Sequence, residues 1–160
     1  MMTNWHTVRP LAVAMLCGGA LLGALSAQAA TNPPIRMANG IEYMSGGIGS
    51  DEAQLMETVA PRWPATLEFA TQNHKSAEFA ADVRVTVRNA SGKAVLDNVQ
   101  AGGPFLVARL DPGRYEVEAT LGGQLLKQEL TVRSGTGTKA MFLWPANTDM
   151  AATASARAPS

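Results

Sequence analysis

From Thr66 onward the chain alternates apolar and polar residues, most plainly where Val83, Val85 and Val87 are set against Arg84, Thr86 and Arg88. A period of two predicts a half-buried β-strand. Slipping by one residue would turn both arginines inward, where an unpaired charge is strongly destabilising, so the register is well specified. Asn89-Ala90-Ser91-Gly92 predicts a turn, and Lys93 to Val99 the returning strand of a hairpin. Pro104 to Leu110 is apolar at both parities, and Asp111-Pro112-Gly113 predicts a tight turn in which proline presets one backbone angle. Tyr115, Val117, Ala119 and Leu121 then share a face, Gly122-Gly123 closes a second hairpin, and Leu126, Gln128, Leu130 and Val132 line one face of its return. Ser134 to Gly137 turns into a last strand ending at Trp144. With Leu67 to Thr71 as the first, the pattern predicts an all-β fold, a small antiparallel β-sandwich of about seven strands; a closed barrel would satisfy the same alternation.

Upstream the period changes. Leu55, Met56, Val59 and Ala60 fall on one face at helical spacing, so a short helix is expected from Asp51 to about Ala60, ended by Pro61 and Pro64. Ser50 is its expected cap, with Asp51 and Glu52 favouring the positive helix end. Tyr43 to Gly49 reads as a glycine-rich loop, and Thr31 to Gly40, with Pro33-Pro34, as an extended lead-in. Ala146 to Ser160 is a tail of small residues expected to be disordered.

The first residues change the picture of compartment. Arg9 precedes an apolar run from Leu11 to Leu25 that carries no charge, and Ser26-Ala27-Gln28-Ala29-Ala30 supplies the small side chains a signal peptidase accepts. The run is 15 residues long, short of the roughly 20 a membrane-spanning helix needs, so cleavage after Ala29 and periplasmic export are expected. The expected organisation is a signal peptide over 1–29, a lead-in over 30–64, a sandwich over 65–145 and a tail over 146–160. No integral membrane segment is expected after cleavage. Cys17, the single cysteine, lies in the discarded run behind the bulky Leu16, which does not suit lipidation. The mature chain then has no thiol, hence no disulfide and no cysteine chemistry. Loss of Arg9 leaves 12 basic residues against 13 acidic ones, a balance without the basic stripe that nucleic acid or an anionic membrane calls for.

Four stretches carry a resemblance: Ala81-Asp82-Val83-Arg84-Val85-Thr86-Val87, Gly103-Pro104-Phe105-Leu106, Leu110-Asp111-Pro112-Gly113-Arg114-Tyr115-Glu116-Val117, and Phe142-Leu143-Trp144. On them, Phe79 to Trp144 resembles the carboxypeptidase regulatory-like domains, which are prealbumin-like sandwiches. The closer likeness is to exported bacterial proteins that carry one such domain behind a signal peptide. Tyr43-Met44-Ser45-Gly46-Gly47-Ile48-Gly49 looks like an element of that group as well. Asp111 departs from the pattern, a second proline being common there, and Arg62-Trp63-Pro64 is another departure. The resemblance implies architecture and a structural or interaction role, with no chemistry.

Candidate chemistry is thin. Gly46, Gly47 and Gly49 before a helix suggest a phosphate cradle, but the GK[ST] ending of a P-loop is missing and Asp51 and Glu52 would repel phosphate. His74 sits in a polar loop; a lone histidine builds neither a metal site nor, without a nucleophile motif, a triad. Glu116 and Glu118 face Lys127 and Glu129 on the expected partner strand, an arrangement that fits surface salt bridges better than an acid–base pair. Trp63, Trp144 and Tyr43 would suit a sugar-stacking platform if exposed, and a core if buried. These residues predict no enzyme, cofactor or metal. The expected function is a periplasmic structural or protein-interaction module whose partner is another envelope protein, with Tyr43, Ile48, Trp63 and Trp144 as the candidate surface. The alternative is a glycan- or peptide-binding module using Trp63, Trp144 and Tyr43.

Overall fold

The computed structural model describes residues 32–73, 76–146 and 148. The expected signal peptide, His74 and nearly all of the expected tail lie outside these residues. The chain order is β1 (Arg36–Ala38), β2 (Ile41–Gly46), α1 (Ser50–Val59), a 3-10 turn (Ala60–Arg62), β3 (Ala65–Gln72), β4 (Ala77–Phe79), β5 (Val83–Asn89), β6 (Ala94–Ala101), β7 (Phe105–Ala108), β8 (Gly113–Leu121), β9 (Gln124–Val132) and β10 (Thr138–Trp144).

Two sheets form, and they do not close into a barrel. One runs β6-β5-β8-β9; the other runs β1-β2-β7-β3-β10, with β4 pairing the far end of β3. All seven expected strands are present, and both expected hairpins, β5–β6 and β8–β9, are paired. The expected small antiparallel sandwich is the fold observed, with one parallel pairing in it: β10 runs beside β3 from Thr138 next to Ala65 to Trp144 next to Thr71.

A correction concerns the lead-in. Asn39 and Gly40 both take positive φ, 49° and 80°, making a two-residue turn that pairs β1 with β2, while Tyr43 to Gly46 pair with β7. What reads as a glycine-rich loop is therefore mostly a sheet strand, and the six-stranded sheet takes in residues before 65. Alternation is blurred in β2 because both of its faces are covered: Ile41 and Tyr43 pack against the core between the sheets, Met44 against the helix. The same double burial makes β7 apolar throughout, with Leu106 and Ala108 facing the main core and Phe105 and Val107 lying under α1.

The main core lies between the sheets and is filled by the inner faces of β3, β5, β8 and β10. Tyr115 closes one end, its hydroxyl donating to the Asp111 carbonyl oxygen at 2.8 Å across the Asp111-Pro112-Gly113 turn. Burial, and secondarily the Asp111 charge, raises its phenol above the ordinary tyrosine range. A smaller core of Met44, Met56, Ala60, Trp63, Phe105 and Val107 holds α1 onto the outside of the six-stranded sheet.

Candidate functional site

The loop joining β2 to α1 is fixed by its own backbone groups. Gly47 and Gly49 adopt φ of 107° and 81°, values that favour glycine, and the Glu52 carboxylate accepts from the amides of Gly47 at 2.7 Å and Ile48 at 3.4 Å. Ser50 does not cap the helix as expected. Gly49 holds the N-cap position without a side-chain bond, and the Ser50 hydroxyl donates to Asp51 Oδ1 at 3.3 Å. Glu52 instead reaches back from the first turn to the two amides that precede the N-cap, which fixes the loop and leaves the helix without a side-chain cap. Of the suggested phosphate cradle, the Gly47 amide is thus filled by the chain's own carboxylate. Between the two glycines Ile48 stands 58% exposed on a constrained backbone.

The other three candidate surface residues are placed differently. Trp144 is fully buried between the sheets, its Nε1 donating to the Gln124 carbonyl oxygen at 3.0 Å. Trp63 is 6% exposed in the smaller core, with the Arg109 guanidinium 4.8 Å over its ring and Arg109 Nε bonded to Glu42 at 2.8 Å. Tyr43 is half-buried and packs against the main core. Trp63 and Trp144 therefore belong to cores on opposite faces of the six-stranded sheet, and the three rings form no stacking platform. The reason is parity: Ala140, Phe142 and Trp144 share the inner face of β10.

Trp63 nevertheless lines a groove of about 400 Å³ at one end of the sandwich. Its charged walls are Arg62, Arg109, Arg133 and Asp111, and Val132 and Leu110 add apolar surface. Of the three arginines only Arg109 has a salt bridge among the described residues.

The acidic residues on the four-stranded sheet behave as a surface lattice. Glu118 lies opposite Lys127 and Glu116 opposite Glu129, with Lys127 Nζ 2.6 Å from Glu118 and 3.6 Å from Glu116. The hydrogen bond from Lys127 holds the Glu118 carboxyl below its ordinary range, and the same bond raises Lys127. Neither shift points to a proton-transfer role.

An exposed apolar patch lies away from all four candidate surface residues. On the outer face of the six-stranded sheet Phe79, Ala70 and Leu143 stand side by side in register, and Met141 sits next to Glu68 one step along. Phe79 is 67% exposed, Met141 52% and Leu143 41%.

The chain matches no protein-family model and no curated protein.

Proposed function

We propose that this chain is a non-enzymatic protein-interaction module of the cell envelope, exported to the periplasm by residues 1–29 and built on a sandwich of the carboxypeptidase regulatory-like kind. The observation that carries the reading is Ile48, a large apolar side chain held out in solvent by a loop that Glu52 and two positive-φ glycines constrain. An anchor whose backbone is already ordered loses little conformational entropy when it enters a partner's pocket, which is how a single residue becomes a binding hot spot. The charge-free run before Ala27-Gln28-Ala29 supports export.

The test is quantitative co-purification from cells exporting the tagged chain, after reversible cross-linking, with wild type compared against Ile48→Ser. At least one envelope protein should fall by about tenfold in the variant, the consequence of losing roughly 1.4 kcal/mol of contact. Thermal unfolding of the purified variant should stay within about 0.5 kcal/mol of wild type, since the side chain packs on little. Identical sets of captured proteins would remove Ile48 from the interface.

A second reading is favoured by the arginine-lined groove over Trp63: binding of a carboxylate-bearing glycan or peptide. Tyr43 and Trp144 play no part in it. Titrating the mature protein with trigalacturonate, and separately with an aspartate-rich tetrapeptide, should shift the Trp63 indole N–H resonance, with the shift lost in Arg133→Ala. If neither titrant moves that signal, the groove is an ordinary surface cleft.

A further inference from the structure

The smaller core explains only half of an outer sheet face. Three rows of outward side chains cross it: Val107, Thr66 and Lys139; Phe105, Glu68 and Met141; Phe79, Ala70 and Leu143. Helix α1 and Trp63 cover Val107 and Phe105. The β10 column and Phe79 are left as a ledge beside the helix, and at the Lys139 end of that column a groove of about 320 Å³ separates it from the helix end, lined by Glu57, Pro61, Glu68 and Lys139 among others. We propose that this ledge seats an amphipathic helix belonging to another polypeptide, lying beside α1 in the same layer.

Backbone chemistry favours a helix over a lone strand as the occupant. A sheet face presents side chains and no free peptide groups, so a segment covering it must satisfy its own amides and carbonyls internally. Strand addition along β10 is opposed, because Gln128 Nε2 donates to the Met141 carbonyl oxygen at 2.6 Å and Thr138 Oγ1 donates to the Thr131 carbonyl oxygen at 3.0 Å. These bonds tie β9 to β10 and block that edge.

Size argues against a second copy. Phe79, Met141 and Leu143 together expose on the order of 300 Å² of apolar side chain, the scale of a functional patch, whereas a stable dimer needs about 800 Å² from each partner. The column from Lys139 to Leu143 spans about 13 Å, matched by roughly nine residues of helix.

Charge sets the polarity of the occupant. Glu68 is neutralised by Lys139 at 2.5 Å, but Glu57, on the α1 wall of the groove, has no salt bridge among the described residues. The helix that fits carries apolar residues at i, i+3, i+4 and i+7 and a lysine or arginine at the end that meets Glu57.

This surface is separate from Ile48. The test places a photo-reactive benzoylphenylalanine at Leu143, or at exposed Lys93 as a control, in the full chain exported by living cells, and sequences the cross-linked peptides. The expected product from Leu143 is a segment of another protein with that apolar spacing and a terminal basic residue, and the control gives no such product. Its yield should fall about fivefold in Phe79→Ser and in Glu57→Lys, each checked for unchanged thermal unfolding, and should be unaffected by Ile48→Ser. The proposal is overturned by no protein adduct, by an adduct on a second copy or on residues 149–160 of this chain, by a segment lacking the amphipathic pattern, or by yields indifferent to Phe79→Ser.

Discussion

Replacing Trp144 with alanine is expected to lower the unfolding free energy by about 4 kcal/mol, near the middle of the range for deleting a buried aromatic side chain. Trp144 has no exposed surface and lies 6.2 Å from the Phe142 ring and 6.3 Å from the Phe69 ring, with those two 5.9 Å apart. Deletion therefore opens a cavity in a three-ring cluster and leaves the Gln124 carbonyl oxygen without its indole partner. For a domain stable by about 5–15 kcal/mol the loss is severe, lowering Tm by roughly 15 °C or more. Trp144→Phe keeps most of the volume and should cost less than half as much. Chemical denaturation of the purified protein measures both. A loss below about 1 kcal/mol in the alanine variant would mean that the cluster does not hold the sheets together.

The same residue shows where sequence reading succeeds and where it stops. The strands of the four-stranded sheet were legible because one face is wet: Arg84, Arg88, Glu116, Glu118 and Lys127 mark the outer parity, and glycine-bearing turns mark the ends. The face-sharing set of α1 was legible from its spacing, with Met56 and Ala60 buried and Leu55 and Val59 half-buried. The six-stranded sheet is harder because helix cover on part of its outer face makes both parities apolar. Asn39-Gly40, a strong hairpin signal in itself, sits between short segments that do not alternate, and β4 offers only three exposed residues. The pairing of β3 with β10 joins segments some seventy positions apart, and no local pattern encodes it. Aromatic identity also says nothing about which side of a strand a ring occupies. In β10 the parity of Lys139 is the signal that puts Met141 and Leu143 outside and Trp144 inside. Among the candidate surface residues Ile48 is the one found exposed, between two positive-φ glycines that do not suit a packed strand.

Gly103→Ala is expected to destabilise the fold by about 3 kcal/mol, whereas Gly102→Ala, one residue away, should stay within about 0.5 kcal/mol of wild type. A methyl group at Gly102 meets open space, but at Gly103 it would fall onto the backbone carbon and oxygen of Gly46. Gly46 cannot retreat easily, because the Glu52 carboxylate and the Pro33 ring already crowd the place where its own side chain would be. The end of β2 and the approach to β7 thus cross backbone to backbone, with the Glu52 side chain from the first turn of α1 and the Pro33 ring packed against Gly46. Relief must come from the backbone, and the nearest movable part is the loop that Glu52 ties down through Gly47 and Ile48. Amide exchange at those two residues should accordingly quicken in Gly103→Ala beyond what its lower global stability explains, and stay unchanged in Gly102→Ala. Co-purification through Ile48 should weaken in step, because a loosened anchor must be reordered on binding. If the two alanine variants behave alike, the crossing has room to spare and the rigidity of the Ile48 loop has another origin. If they separate as expected, tight backbone packing and the presentation of Ile48 are a single property of the chain.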